Sequence, residues 1–124
     1  MSLRTPLGKV LGRGAAGEGV GHWWVQRVTA VALLLLTTSF VISLLGHSLQ
    51  SYEEMRAWLS QPWTAVITIL LILTLAWHSK LGVQVVIEDY VHGKGAKTVL
   101  LLSSIFVHAG AAVVGVFAIL VLAL

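Results

Sequence analysis

Three stretches of this chain carry no Asp, Glu, Lys or Arg: residues 28–52, 57–79 and 98–124, which are 25, 23 and 27 residues long. About 20 apolar residues, rising 1.5 Å each, cross the ~30 Å hydrocarbon core of a bilayer, so each stretch is long enough for one span. Backbone in hydrocarbon must satisfy its own N–H and C=O groups, which makes a helix the expected conformation of each. The rest of the composition agrees. Of the 124 residues, 57% are hydrophobic and 10% are charged. A soluble domain carries roughly 25% charged residues, so this chain has too few polar groups to cover a water-facing surface. A soluble enzyme, a nucleic-acid binder and a disulfide-stapled secreted domain are excluded. The net charge of +3 is not a nucleic-acid signal, because the basic residues lie mostly outside the apolar stretches. The chain has no cysteine, so a redox metal would depend on His, Met, Tyr or carboxylate ligands.

The expected fold is all-α, a single membrane-anchor domain over residues 1–124. It comprises a basic tail (residues 1–21) and three transmembrane helices at about 24–46, 62–90 and 98–123. The glycines of the tail (Gly8, Gly12, Gly14, Gly17, Gly19 and Gly21) predict irregular backbone there. Pro62 suits the first turn of the second helix, where a missing N–H is not felt. The first apolar run is longer than a signal-peptide core and lacks a small-residue cleavage site, so it is read as a retained span. Arg4, Lys9 and Arg13 in the tail and Lys94 and Lys97 in the second loop lie on one side of a three-span arrangement, against Arg56 alone in the first loop. The positive-inside rule then predicts a cytoplasmic N-terminus. Trp23, Trp24 and Tyr90 are expected to form the inner aromatic belt, and Tyr52, Trp58 and Trp63 the outer one, with Trp77 between them. No internal repeat suggests an inverted-repeat transporter.

Ionisable residues inside a membrane are costly and mark functional sites. His78 leads the candidates for a metal ligand, since neutral imidazole is a common axial ligand of haem iron and Gly82, one turn later, leaves room for a flat macrocycle. The alternative is a buried histidine bonded to a neighbouring helix. Asp89 lies eleven positions beyond His78, which at 100° per residue returns it to within about 20° of the same stripe. Tyr90 adjoins it, and Arg27 starts the first helix at similar depth. A carboxylate, a phenol and a guanidinium suit a polar head group that takes up protons; the plainer reading of the same residues is an interfacial cap with an aromatic anchor. His108 matches His78 in depth, so either a bis-His site within this chain or a hydrogen bond to Ser103, Ser104 or a threonine would explain it. Lys80 is expected to snorkel to the inner interface or to neutralise a propionate. His22, His47 and His92 sit at water level.

The string Ala76-Trp77-His78, then Gly82-Val83-Gln84, then Asp89-Tyr90-Val91-His92-Gly93, resembles the smaller of the two hydrophobic membrane anchors of succinate dehydrogenase, respiratory complex II. His22-Trp23-x-x-x-Arg27 followed by Thr29-Ala30 resembles that family's first helix, and the resemblance covers nearly the whole chain. It implies that His78 is one axial ligand of a b-type haem whose second histidine comes from the other membrane anchor of the complex. It also implies that Tyr90 hydrogen-bonds a ubiquinone carbonyl, and that Asp89 and Arg27 line or support the quinone site and the haem propionates. His22 matches a polar residue near the haem edge in part of the family. The implied partners are the second membrane anchor, the iron–sulfur subunit, the flavoprotein subunit and the lipid bilayer. Lys80 departs from the neutral residue found beside the ligand in some members, and His108 is not a general family feature. If His108 were the second ligand, the haem would sit within this chain. The expected setting is a bacterial inner membrane, with no transit peptide. Two other functions fit the same residues: the anchor of another quinone-linked complex such as fumarate reductase, and a small non-redox transport or assembly protein using His78 and His108 as a proton path.

Overall fold

The computed structural model describes residues 19–47 and 51–124, and places them in four helices: α1 (Gly19–Leu45), α2 (Tyr52–Leu59), α3 (Pro62–Tyr90) and α4 (Lys94–Ala123). There is no strand among the described residues. The helices α1, α3 and α4, of 27, 29 and 30 residues, are each long and apolar enough to cross a membrane. At 1.5 Å per residue they measure roughly 40–45 Å, which exceeds the ~30 Å hydrocarbon core and carries their ends into the head-group region.

The boundaries depart from expectation at three places. Gly19, Val20 and Gly21 are already helical, although their glycines predict irregular backbone. A glycine weakens a helix by about 1 kcal/mol, and the hydrogen bonds a helix keeps internally near a membrane outweigh that. The rest of the expected tail, residues 1–18, lies outside the described residues. Helix α4 starts at Lys94 rather than at residue 98, so that only residues 91–93 connect α3 to α4. Gly93 caps it through its carbonyl, which accepts from the Lys97 amide at 2.8 Å. The first loop contains an unexpected helix, α2. Ser51 and Glu54 form a capping box there: the Ser51 Oγ accepts from the Glu54 amide and the Glu54 carboxylate accepts from the Ser51 amide, each at 3.2 Å.

The three spans pack as a row. Helix α3 lies against both α1 and α4, and those two make no packing contact with each other. Most buried side chains therefore sit on α3, whereas α1 has none. Small and hydroxyl-bearing residues line the seams: Thr64, Ala65, Thr68 and Ser104 are buried. Thr68 satisfies its hydroxyl by donating to the Thr64 carbonyl at 2.7 Å. Gly115 of α4 comes so near α3 that a Cβ there would lie 3.1 Å from Ile72 Cγ2. Trp58 corrects the expected outer belt. It is 2% exposed, packed against Phe40 and His47, while Tyr52 and Trp63 remain exposed. Its indole N–H donates to Ser43 Oγ of α1 at 2.9 Å, so the ring turns into the bundle rather than outward to the head groups.

Candidate functional site, a polar groove between α1 and α3

The repeat of helix α1 puts His22, Gln26 and Thr29 on one face, at spacings of four and three. That face meets His78 of α3. The His78 Nδ1 lies 2.9 Å from Thr29 Oγ1, and its Nε2 lies 3.4 Å from Gln26 Nε2. The imidazole is half-buried and held between two helices through both ring nitrogens.

Beside it opens a groove of about 810 Å³, lined by His22, Gln26 and Arg27 of α1 and by Gly82, Gln84 and Glu88 of α3. At Gly82 a Cβ would come within 3.9 Å of the Gln26 amide nitrogen, so the missing side chain keeps the groove open there. The His22 Nε2 and the Gln26 Oε1 are buried with no hydrogen-bond partner among the described residues. A buried orphan polar atom costs about 1–3 kcal/mol, so two of them on the wall of one groove mark a place where a polar group of another molecule would be stabilised. Arg27 lies over the Trp23 ring, 5.4 Å from its centroid, with its charge at the rim. The wall thus offers an imidazole, an amide, a guanidinium and a carboxylate to a ligand with both flat and polar parts.

The other candidates are placed as follows. Arg27 and His22 line the groove beside His78. Asp89 and Tyr90 are exposed at the end of α3, Tyr90 at 78%, and neither side chain has a hydrogen bond or ion pair among the described residues. The acid that lines the groove is Glu88. His108 is on the α4 side of α3. Its Nδ1 lies 2.7 Å from the Ser104 carbonyl and its Nε2 lies 3.2 Å from Ser79 Oγ, and it is not brought together with His78. Lys80 also turns toward α4, where it lines a cavity with Ile105 and His108. Its Nζ donates to Gln84 Oε1, whose amide donates in turn to Glu88 Oε1, both at 2.8 Å. That ladder leads the charge one turn toward the helix end, the direction expected of a snorkelling lysine. Sequence reasoning missed Gln26, Gln84 and Glu88 as lining residues and Thr29 as a partner of His78. The His22–Gln26–Thr29 spacing was the available signal. Among the described residues no group of three or more His, Cys, Asp or Glu side chains is placed to hold a metal ion.

Fold and groove define a multi-pass membrane protein of three spans, with a histidine clamped between two of them beside an open polar wall. Comparison with known proteins gives the family. The succinate dehydrogenase/fumarate reductase transmembrane subunit family matches residues 1–123, and the chain belongs to that family. It is 36% identical over 106 residues to the succinate dehydrogenase hydrophobic membrane anchor subunit of Paracoccus denitrificans, covering 86% of this chain and 82% of that one. The protein of the same name from Rickettsia conorii is 30% identical over 106 residues, covering 84% of each chain. The one from Coxiella burnetii is 29% identical over 83 residues, covering 67% of this chain and 72% of that one. No solved structure matches the chain at comparable strength.

Proposed function

We propose that this chain is a membrane anchor of succinate dehydrogenase, and that its α1–α3 groove is one wall of a site for haem b and for the ubiquinone substrate. A second membrane anchor would close the groove, the iron–sulfur subunit would deliver electrons at the Tyr90 end, and the flavoprotein subunit would oxidise succinate. In this reading the chain does no chemistry alone. The Tyr90 end faces the cytoplasm of a bacterial inner membrane, in keeping with Lys94 and Lys97 beside it.

The observation that carries this reading is the clamp on His78 beside two orphaned polar atoms, His22 Nε2 and Gln26 Oε1. The residues present suit a haem. His78 would hold the haem iron through Nε2. Arg27, His22 and Gln26 offer partners to propionates, and Gly82 leaves room for the ring edge. When bound, haem b supplies a one-electron redox centre within the membrane. The protein side of quinone reduction falls to the end of α3. The Tyr90 hydroxyl, which has no partner within the described residues, would donate to a quinone carbonyl and stabilise the negative charge that develops as electrons arrive. Asp89 beside it would hold a proton for delivery, and Arg27 would add positive charge at the rim of the groove. The family covers both succinate dehydrogenases and fumarate reductases; the relatives named above are succinate dehydrogenases, which favours that direction.

The test is affinity purification in mild detergent, read by the masses of the co-purifying chains and by the optical spectrum, for the native chain and for His78→Ala. The native preparation should carry three further subunits and a b-type spectrum, and the variant should lose or alter that spectrum. A colourless native complex, or an unaltered spectrum in the variant, overturns the assignment.

A further inference from the structure

We propose that Thr29 is a positioning residue for His78: its hydroxyl fixes the imidazole as the Nδ1–H tautomer and leaves the Nε2 lone pair available to a metal. The inference rests on the haem reading above and deepens it. Two independent contacts lead to it.

The first is on the Nδ1 side. Thr29 Oγ1 lies 2.8 Å from the Val25 carbonyl and 3.1 Å from that of Gln26, and both carbonyls are acceptors only. Either carbonyl can take the single hydroxyl proton, which leaves the oxygen free to accept from elsewhere. His78 Nδ1 stands 2.9 Å away, within reach of that oxygen, which suits an Nδ1–H donor. The second contact is on the other nitrogen. The Gln26 amide nitrogen, a donor, faces His78 Nε2 at 3.4 Å, which suits Nε2 as the acceptor. Both contacts suit the same tautomer. Gln26 marks where the lone pair points, and its long contact is the one an incoming metal would displace, while the shorter Thr29 contact stays. An imidazole whose N–H is held by an acceptor is a more basic ligand with a fixed ring plane. Without Thr29 the ring would be freer and less basic, so the oxidised iron would be stabilised less and the potential would rise.

The experiment uses the assembled complex in membranes, with Thr29→Val, Thr29→Ala, Thr29→Ser and His78→Ala read by haem content and by potentiometric titration of the haem. Thr29→Val and Thr29→Ala should shift the oxidised-to-reduced ratio at fixed potential toward the reduced form by up to about tenfold, ~59 mV for a one-electron couple. They should also lower haem retention, and Thr29→Ser should restore both. A role confined to packing would lower assembly in all three Thr29 variants without moving the potential of the complexes that form, and that result overturns the proposal. So does loss of the haem in His78→Ala while Thr29→Val, or Thr29→Ala where valine prevents assembly, keeps native potential and haem content. If His78→Ala leaves the haem untouched, the haem reading itself fails and this inference with it.

Discussion

The indole N–H of Trp58 donates to the Ser43 hydroxyl at 2.9 Å, tying the short helix α2 to the end of α1. Because Trp58 also packs on Phe40 and is 2% exposed, it is the fastening of the first loop to the bundle. Trp58→Phe removes one hydrogen bond and should destabilise the protein by about 1 kcal/mol. Trp58→Ala also leaves a cavity and should destabilise it by about 3–5 kcal/mol. Thermal unfolding of the detergent-solubilised complex should rank the two in that order. Equal stability of Trp58→Ala and the native protein would show that the loop helix is not anchored there.

The close approach of α3 and α4 depends on Gly115. An added methyl would stand 3.1 Å from Ile72, which must then give by a few tenths of an ångström. Gly115→Val should destabilise the pair by about 1–3 kcal/mol through overpacking. Gly115→Ala should do less, and shortening the neighbour with Ile72→Val in the alanine background should recover part of the loss. A double-mutant cycle on the melting temperature measures the coupling; additive effects would count against this contact.

Lys80 faces α4, and its amine donates to Gln84, whose amide donates to Glu88 on the groove wall. Lys80→Met frees the Gln84 amide and removes one positive charge near the groove, so haem content should stay native while the haem potential falls, within about tenfold in the oxidised-to-reduced ratio. An unmoved potential in a redox titration of this variant would take Lys80 out of the haem environment.

Tyr90→Phe separates function from stability. The side chain is 78% exposed and its hydroxyl has no partner among the described residues, so unfolding should be unchanged. Loss of a donor to the developing negative charge should lower quinone reduction on the order of a hundredfold. Succinate oxidation with an artificial acceptor that bypasses the quinone should stay intact. Normal quinone reduction in this variant would remove Tyr90 from the site.

The three spans could be read directly from the sequence, because hydrocarbon leaves a charge-free segment of this length little choice but a helix. The expected limits of the second span, 62–90, coincide with α3, where Pro62 supplies a sharp start. Helix α2 was also legible, through the Ser51-x-x-Glu54 capping box, but a short charged segment between spans reads as loop unless that box is weighed. His78 stood out as an imidazole deep in an apolar run, and Gly82 one turn on hinted at the open space beside it. Asp89 was placed on the His78 stripe by angle alone, whereas the acid that lines the groove is Glu88. An angular estimate carries no information about where the facing helix ends.

What the sequence determined by itself, then, was the number and kind of spans and the depth of each ionisable group, since both follow from local composition and the rise of a helix. Only the tertiary structure decided which neighbour each group meets. The side chains of His78 and Ser79 are adjacent in the chain, yet one turns to Thr29 of α1 and the other to His108 of α4. The reason is geometric: consecutive residues on a helix point about 100° apart, so the arrangement of α1, α3 and α4 in a row sends them to different partners.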